Sequence, residues 1–161
     1  MIVTGGIYIC MNFSKALRDR WVQAQLLLLA VTGTLGPVLD RAGPPSVRAL
    51  GVALLLLGLG LAIWGARALG AALTPEPEPV ADARLVESGP YRLVRHPIYT
   101  GVVLAVSGWT LAWSTWLVAL GVGIVLLAFF TAKAGAEERW LRDRFPSYGE
   151  YARRVRRKVL W

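Results

Sequence analysis

Apolar residues lie in four long runs separated by short polar or proline-rich stretches, and this alternation sets the architecture. The first run extends from about Trp21 to Leu39, with Gly33, Gly36 and Pro37 loosening its far end. The second extends from about Val47 to Leu73 and is interrupted by Arg67. The third starts at Pro97 and reaches about Trp113, and the fourth runs from about Thr115 to Ala132. Each approaches the roughly 20 residues an α-helix needs to cross a bilayer core, the third only by borrowing from its ends. A single buried helix in place of the last two runs fails on length. Ser114 and its neighbours therefore turn a tight antiparallel hairpin, with Trp109, Trp113 and Trp116 at the interfacial level that tryptophan prefers. The pattern predicts an all-α, polytopic membrane protein of about four transmembrane helices.

One integral membrane domain is expected over 1–161. It divides into an N-terminal segment 1–20, two spans within 21–73, a loop 74–96, a helical hairpin 97–132 and a tail 133–161. Thr74-Pro-Glu-Pro-Glu-Pro is a stiff connector that proline keeps from being helical throughout. In the tail, Leu141, Phe145, Tyr148, Tyr151 or Ala152, Val155 and Val159 recur at helical spacing with arginines between them, an amphipathic pattern suited to a membrane surface. Pro146 and Gly149 are expected to split it into two short helices.

Composition agrees with the membrane class: 55% of the 161 residues are hydrophobic and only 17% charged. The net charge of +8 raises nucleic acid as a partner. The basic residues instead sit beside apolar spans, where they orient helices and meet anionic lipid, and no zinc-finger spacing or basic-aromatic module appears. Membrane lipids are the expected partner, and nucleic acid is not. Lys15, Arg18 and Arg20 precede the first span, Arg67, Arg84, Arg92 and Arg95 separate the second from the third, and nine basic residues follow the fourth, starting at Lys133. Only Arg41 and Arg48 fall in the remaining loop. The positive-inside rule therefore puts both termini and the 74–96 loop in the cytoplasm. Abundant alanine, leucine and arginine point to a high-GC prokaryote and its inner membrane. Cys10 and His96 are the only cysteine and histidine, so no intrachain disulfide and no zinc site of the usual ligand types is expected. Residues 1–10 lack a basic leader and precede a second methionine, Met11, which suggests an over-extended start.

Chemistry concentrates at the loop-to-membrane boundary. Gly89 to Gly101 reads G-P-Y-R-L-V-R-H-P-I-Y-T-G, placing Tyr91, Arg92, Arg95, His96 and Tyr99 at the start of the third span. Ionisable groups at such a boundary are expensive and point to a site. Pro97 suits a first helical position, so the unpaired N–H groups there, with Arg95 and His96, could dock a carboxylate or phosphate. Simple snorkelling of Arg95 and His96 to water stays open beside that reading. Tyr91 and Tyr99 also suit an interfacial belt. Glu137 and Glu138 lie at the far end of the fourth span, about 100° apart on a helix, so at most one is expected to face a pocket directly. The set suits a zwitterion with a carboxylate, an amino group and a ribose, a description S-adenosylmethionine meets.

The run Leu85-Val-Glu-Ser-Gly-Pro-Tyr-Arg-Leu-Val-Arg-His-Pro-Ile-Tyr-Thr-Gly101, with Glu137-Glu-Arg-Trp-Leu141 and Phe145-Pro-Ser-Tyr-Gly-Glu-Tyr151, resembles the isoprenylcysteine carboxyl methyltransferase family, whose wider group includes phospholipid N-methyltransferases. The similarity covers about residues 83–158. The resemblance implies a membrane-embedded, S-adenosylmethionine-dependent methyltransferase whose cofactor lies between the last two spans and the tail. Its cofactor shell would comprise Leu85, Val86, Tyr91, His96, Pro97, Ile98, Tyr99 and Glu137, joined by Arg95 and Glu138 from the local reading. Where prenylcysteine enzymes use an arginine to hold the substrate carboxylate, this chain has Lys133, which keeps the charge and loses the bidentate fork. The acceptor is a lipophilic or small molecule offering a carboxylate, amine or thiol, and no catalytic base is assigned. The alternatives are an NAD(P)H-dependent membrane reductase of the sterol-reductase type and a non-enzymatic membrane protein.

Overall fold

The computed structural model describes residues 19–39, 43–70 and 85–160. Among them there is no strand. Five α-helices follow in order: α1 (Arg20–Leu39), α2 (Pro45–Leu69), α3 (Pro97–Trp113), α4 (Trp116–Arg144) and α5 (Tyr148–Arg154), with a short 3₁₀ turn at Gly89–Arg92 before α3. Helices α1, α2 and α4 are long and apolar enough to cross a membrane, and α3, at 17 residues, is shorter. The protein is an integral membrane protein built from these four. The 1–18 segment and the proline-spaced connector within 74–79 lie outside the described residues.

The helix starts follow local chemistry. Asp19 Oδ1 accepts from the backbone N–H of Trp21 at 2.7 Å and of Val22 at 3.1 Å, satisfying orphan donors at the start of α1. Pro45 and Pro97 open α2 and α3, where their missing N–H costs nothing. Thr115 caps α4 through its hydroxyl, completing the two-residue turn expected at Ser114. Pro37 sits inside α1 and cannot donate to the Gly33 carbonyl four residues back. The indole N–H of Trp109 on α3 takes that carbonyl at 2.8 Å, so an internal helix defect becomes a cross-helix tie.

Helix α3 is central and packs against α1, α2 and α4. Its seam with α2 is backbone against backbone. A Cβ at Gly58 would lie 2.4 Å from the amide nitrogen of Ala105, and one at Gly108 would lie 2.5 Å from that of Leu55. Without a hydrophobic driving force between helices in lipid, such close approach of small residues is what holds them together. The outward faces are apolar, with Leu56, Leu57, Ile63, Leu120 and Ile124 all exposed, as a lipid-facing surface requires.

Three features of the tail differ from expectation. Helix α4 runs unbroken for 29 residues, a rise of about 44 Å against a core of about 30 Å, so about its last third projects beyond the membrane. Ala134, Ala136, Glu137 and Glu138 are good helix formers, and the break comes only at Phe145-Pro146. Gly149 lies inside α5 rather than ending a helix. Residues 155–160 are non-helical, with a bend at 158–159, where Val155 and Val159 had suggested a helix. The reason is competition for their carbonyls: the Arg95 N–H donates to Arg157 O and the His96 N–H to Lys158 O, each at 2.9 Å.

Candidate functional site

The strap 155–160 and the overhang of α4 close over the first turn of α3, and the polar groups meet there. His96 occupies the N-cap position of α3 and is 7% exposed. Its Nδ1 lies 3.4 Å from Glu137 Oε2 and its Nε2 lies 3.3 Å from Glu138 Oε1. Both adjacent carboxylates therefore reach the site, where at most one was expected. A 100° separation on the helix matches the opposite edges of one imidazole placed between them.

Each carboxylate has further partners. Tyr99 stacks on His96 with ring centroids 5.5 Å apart and donates its hydroxyl to Glu137. Arg95 Nε donates to Glu138 Oε1 at 2.8 Å, Lys158 Nζ lies 3.6 Å from Glu138 Oε2, and the exposed Arg142 reaches the same oxygen at 4.0 Å. Arg95 also donates through Nη1 to the carbonyls of Ala152 and Val155, at 3.2 and 3.0 Å. The α3 N-terminus read as an anion dock thus meets the strap: backbone donors of Arg95 and His96 go to its carbonyls, and the Thr100 hydroxyl donates to Val159 O.

Burial alone would push the His96 pKa down, but hydrogen bonds and charges from Glu137 and Glu138 outweigh it and hold the imidazole above its ordinary value. A pKa raised on folding adds stability that is full below the unfolded value of about 6.5 and is lost as pH rises through the folded value. His96 is the only histidine, so its imidazole resonances in an NMR titration need no assignment. The midpoint is expected above 6.5 and should fall on Glu137→Gln substitution. A midpoint at or below 6.5 in the folded protein would contradict the pairing.

Phenols supply the aromatic wall. Tyr91 is buried, and its carbonyl accepts from the Tyr151 hydroxyl at 2.8 Å, tying the 3₁₀ turn to α5. Burial pushes Tyr151 up to about 12 and Tyr91 higher still, so both remain donors at neutral pH. Leu85 packs on the cluster of Tyr148, Tyr151 and Val155, while Glu87 pairs with Arg154 at the rim. Val86 is half-buried beside them. Pro97 and Ile98 point elsewhere, against the α2 backbone at Gly65.

Lys133 is 2% exposed. Its Nζ lies 5.4 Å from the centre of the Tyr99 ring and donates to Gln25 Oε1 on α1 at 2.6 Å. Gln25 was passed over in the sequence, although an amide in an apolar span is itself a signal of burial against a partner. Lys158 was lost among the tail arginines. Gln25→Leu should leave the ammonium without its acceptor and cost about 1–3 kcal/mol in thermal unfolding. Adding Lys133→Met should restore most of that loss, and simple additivity of the two changes would show that the pair does not interact. Among the described residues, no group of three or more His, Cys, Asp or Glu could hold a metal ion.

The sequence profile of the phospholipid methyltransferase family matches residues 47–148, which covers α2 from its third residue, α3, α4 and the first residue of α5. Among curated proteins, the cobalt-zinc-cadmium resistance protein CzcN of Cupriavidus metallidurans is 36% identical over 71 residues. That stretch is 44% of this chain and 33% of CzcN, so the chain matches about a third of that relative's length.

Proposed function

The chain belongs to the phospholipid methyltransferase family, and from that membership we propose that it transfers a methyl group from S-adenosylmethionine to a lipophilic acceptor. The observation that carries the reading is the buried Glu138 and half-buried Glu137 clasping His96 beneath Tyr99, where the α4 overhang meets the start of α3.

The donor set fits the cofactor's chemistry. Glu137 offers acceptor oxygens for an ammonium or ribose hydroxyls, and the face of Tyr91 would attract a sulfonium cation. Arg95 supplies positive charge for a carboxylate. When bound, the cofactor would supply an electrophilic methyl carbon. The rest is the protein's work: Glu138 and Arg95 fix the imidazole, the tyrosines of α5 shut out water, and α3 and α4 set the approach of the acceptor. In an in-line displacement such positioning can supply much of the rate. The family description favours a phospholipid headgroup as acceptor, with other amines, carboxylates and thiols as alternatives. The basic tail and loop favour a site on the cytoplasmic face of a prokaryotic inner membrane.

The test is calorimetric binding of S-adenosylhomocysteine and of NADPH to detergent-purified protein, with His96→Ala/Glu137→Ala as control. Micromolar S-adenosylhomocysteine binding, lost by at least about a hundredfold in the double variant, is expected when two charged contacts are removed. Binding of NADPH alone would replace the proposal with a reductase.

A further inference from the structure

On the outer side of Arg95, away from Glu137 and Tyr99, a groove of about 320 Å³ opens between the strap and α4. Its lining is amphiphilic. Arg95, Arg156 and Lys158 supply three cations, Thr131 a hydroxyl, and Val159 and Leu160 an apolar lip. The cations outnumber the acids: the one carboxylate that pairs with them is Glu138, which His96 already engages. Arg156 is exposed and its side chain makes no ion pair among the described residues. Thr131 places the groove by depth, since it is the last residue but one before the apolar run of α4 gives way to Lys133. By length α4 leaves a core of about 30 Å some four residues further on, so Thr131 lies in the outer hydrocarbon, within reach of the phosphate layer. Leu160, 40% exposed, extends the lip toward the acyl region.

We infer that this groove binds the phosphate of an anionic phospholipid from the leaflet on the tail's side, a site separate from the methyl-transfer pocket. The phosphate takes Arg156 and Lys158 together with the Thr131 hydroxyl, and the glycerol end of an acyl chain rests on Val159 and Leu160. Arg95 is shared between groove and pocket: Nε holds Glu138 while Nη1 holds the strap carbonyls. A lipid bound here therefore fastens the strap that covers His96. A zwitterionic headgroup is a poorer ligand, because its own cation would face Arg156 and the neighbouring Arg157.

The experiment does not depend on catalysis. Protein in dodecyl maltoside is mixed with dioleoylphosphatidylglycerol or dioleoylphosphatidylcholine, and retained lipid is counted by native mass spectrometry. One phosphatidylglycerol per chain should be retained about fivefold better than phosphatidylcholine, roughly the worth of one cation beside an anionic lipid surface. Arg156→Gln should erase about that preference, while Arg139→Gln, which removes the same charge from an exposed position of α4, should keep it. Millimolar inorganic phosphate should not displace the lipid. Equal losses in the two variants would mean diffuse attraction and no groove. Equal retention of the two lipids, or displacement by free phosphate, would overturn the lipid assignment. Arg156 stands clear of the packed interior, so its variant tests the groove without testing the fold. Failure of S-adenosylhomocysteine to bind would leave this result untouched.

Discussion

Glu138→Ala is expected to lower stability by about 3–5 kcal/mol, the cost of removing one partner from a buried charge network. For a chain of this length that is a drop of roughly 10 °C or more in thermal unfolding. Glu138 is 4% exposed and serves Arg95, His96 and Lys158 at once. Its removal takes the carboxylate from Arg95, 11% exposed, and leaves His96 paired with Glu137 alone among the described residues. Glu138→Gln keeps the shape and one hydrogen-bond acceptor while deleting the charge, so its loss should be smaller. The two variants also separate support from direct contact. If Glu138 acts by orienting His96, S-adenosylhomocysteine affinity should fall in step with the shift of the His96 titration midpoint. An alanine variant melting within about 2 °C of wild type would show that the network contributes nothing and that the buried charges find water.

How far this arrangement could be read in the sequence depends on the range of the forces involved. Hydropathy is local, so the four helices stood out, and Pro97, Trp113 and Thr115 marked boundaries that the structure keeps within a residue. The α4 overhang did not stand out, because the apolar run stops at Ala132 while the helix continues on propensity to Arg144. The pairing of His96 with Glu137 could be anticipated from two polar clusters at the ends of adjacent helices. The second pairing, with Glu138, needed the ring's actual placement. The strap was illegible for a deeper reason. What keeps residues 155–160 out of a helix is the set of donors on Arg95, His96 and Thr100, about sixty positions earlier, and no local pattern in the tail reports them. Gln25 and Lys133, 108 positions apart, met for the same reason.

Gly58→Ala should produce the other large effect, although it adds one methyl group. The added Cβ would sit 2.4 Å from Ala105 N and 2.5 Å from Gly101 O, both backbone atoms with no rotamer to yield. Ordinary contact begins near 3.4 Å, so α2 and α3 must part by about 1 Å. A gap of that size forfeits a quarter to a half of each dispersion contact along the seam, which in lipid has no hydrophobic force to compensate. The expected cost reaches or exceeds the about 1–3 kcal/mol usual for overpacking, with a melting temperature lower by roughly 5–10 °C. Gly60→Ala is the matched control, since nothing lies within 4 Å of its new Cβ. There the higher helix propensity of alanine should leave stability unchanged or raised by up to about 1 kcal/mol. The seam also bears on function: at its near end Gly65 of α2 lies against Pro97 and Ile98, the two residues that follow His96. Parting the helices at Gly58 should therefore tilt the start of α3 and loosen the imidazole between its two carboxylates. Gly58→Ala is thus expected to weaken S-adenosylhomocysteine binding as well as the fold, and Gly60→Ala neither. Equal melting temperatures for the two variants would show that the glycines are incidental to the packing.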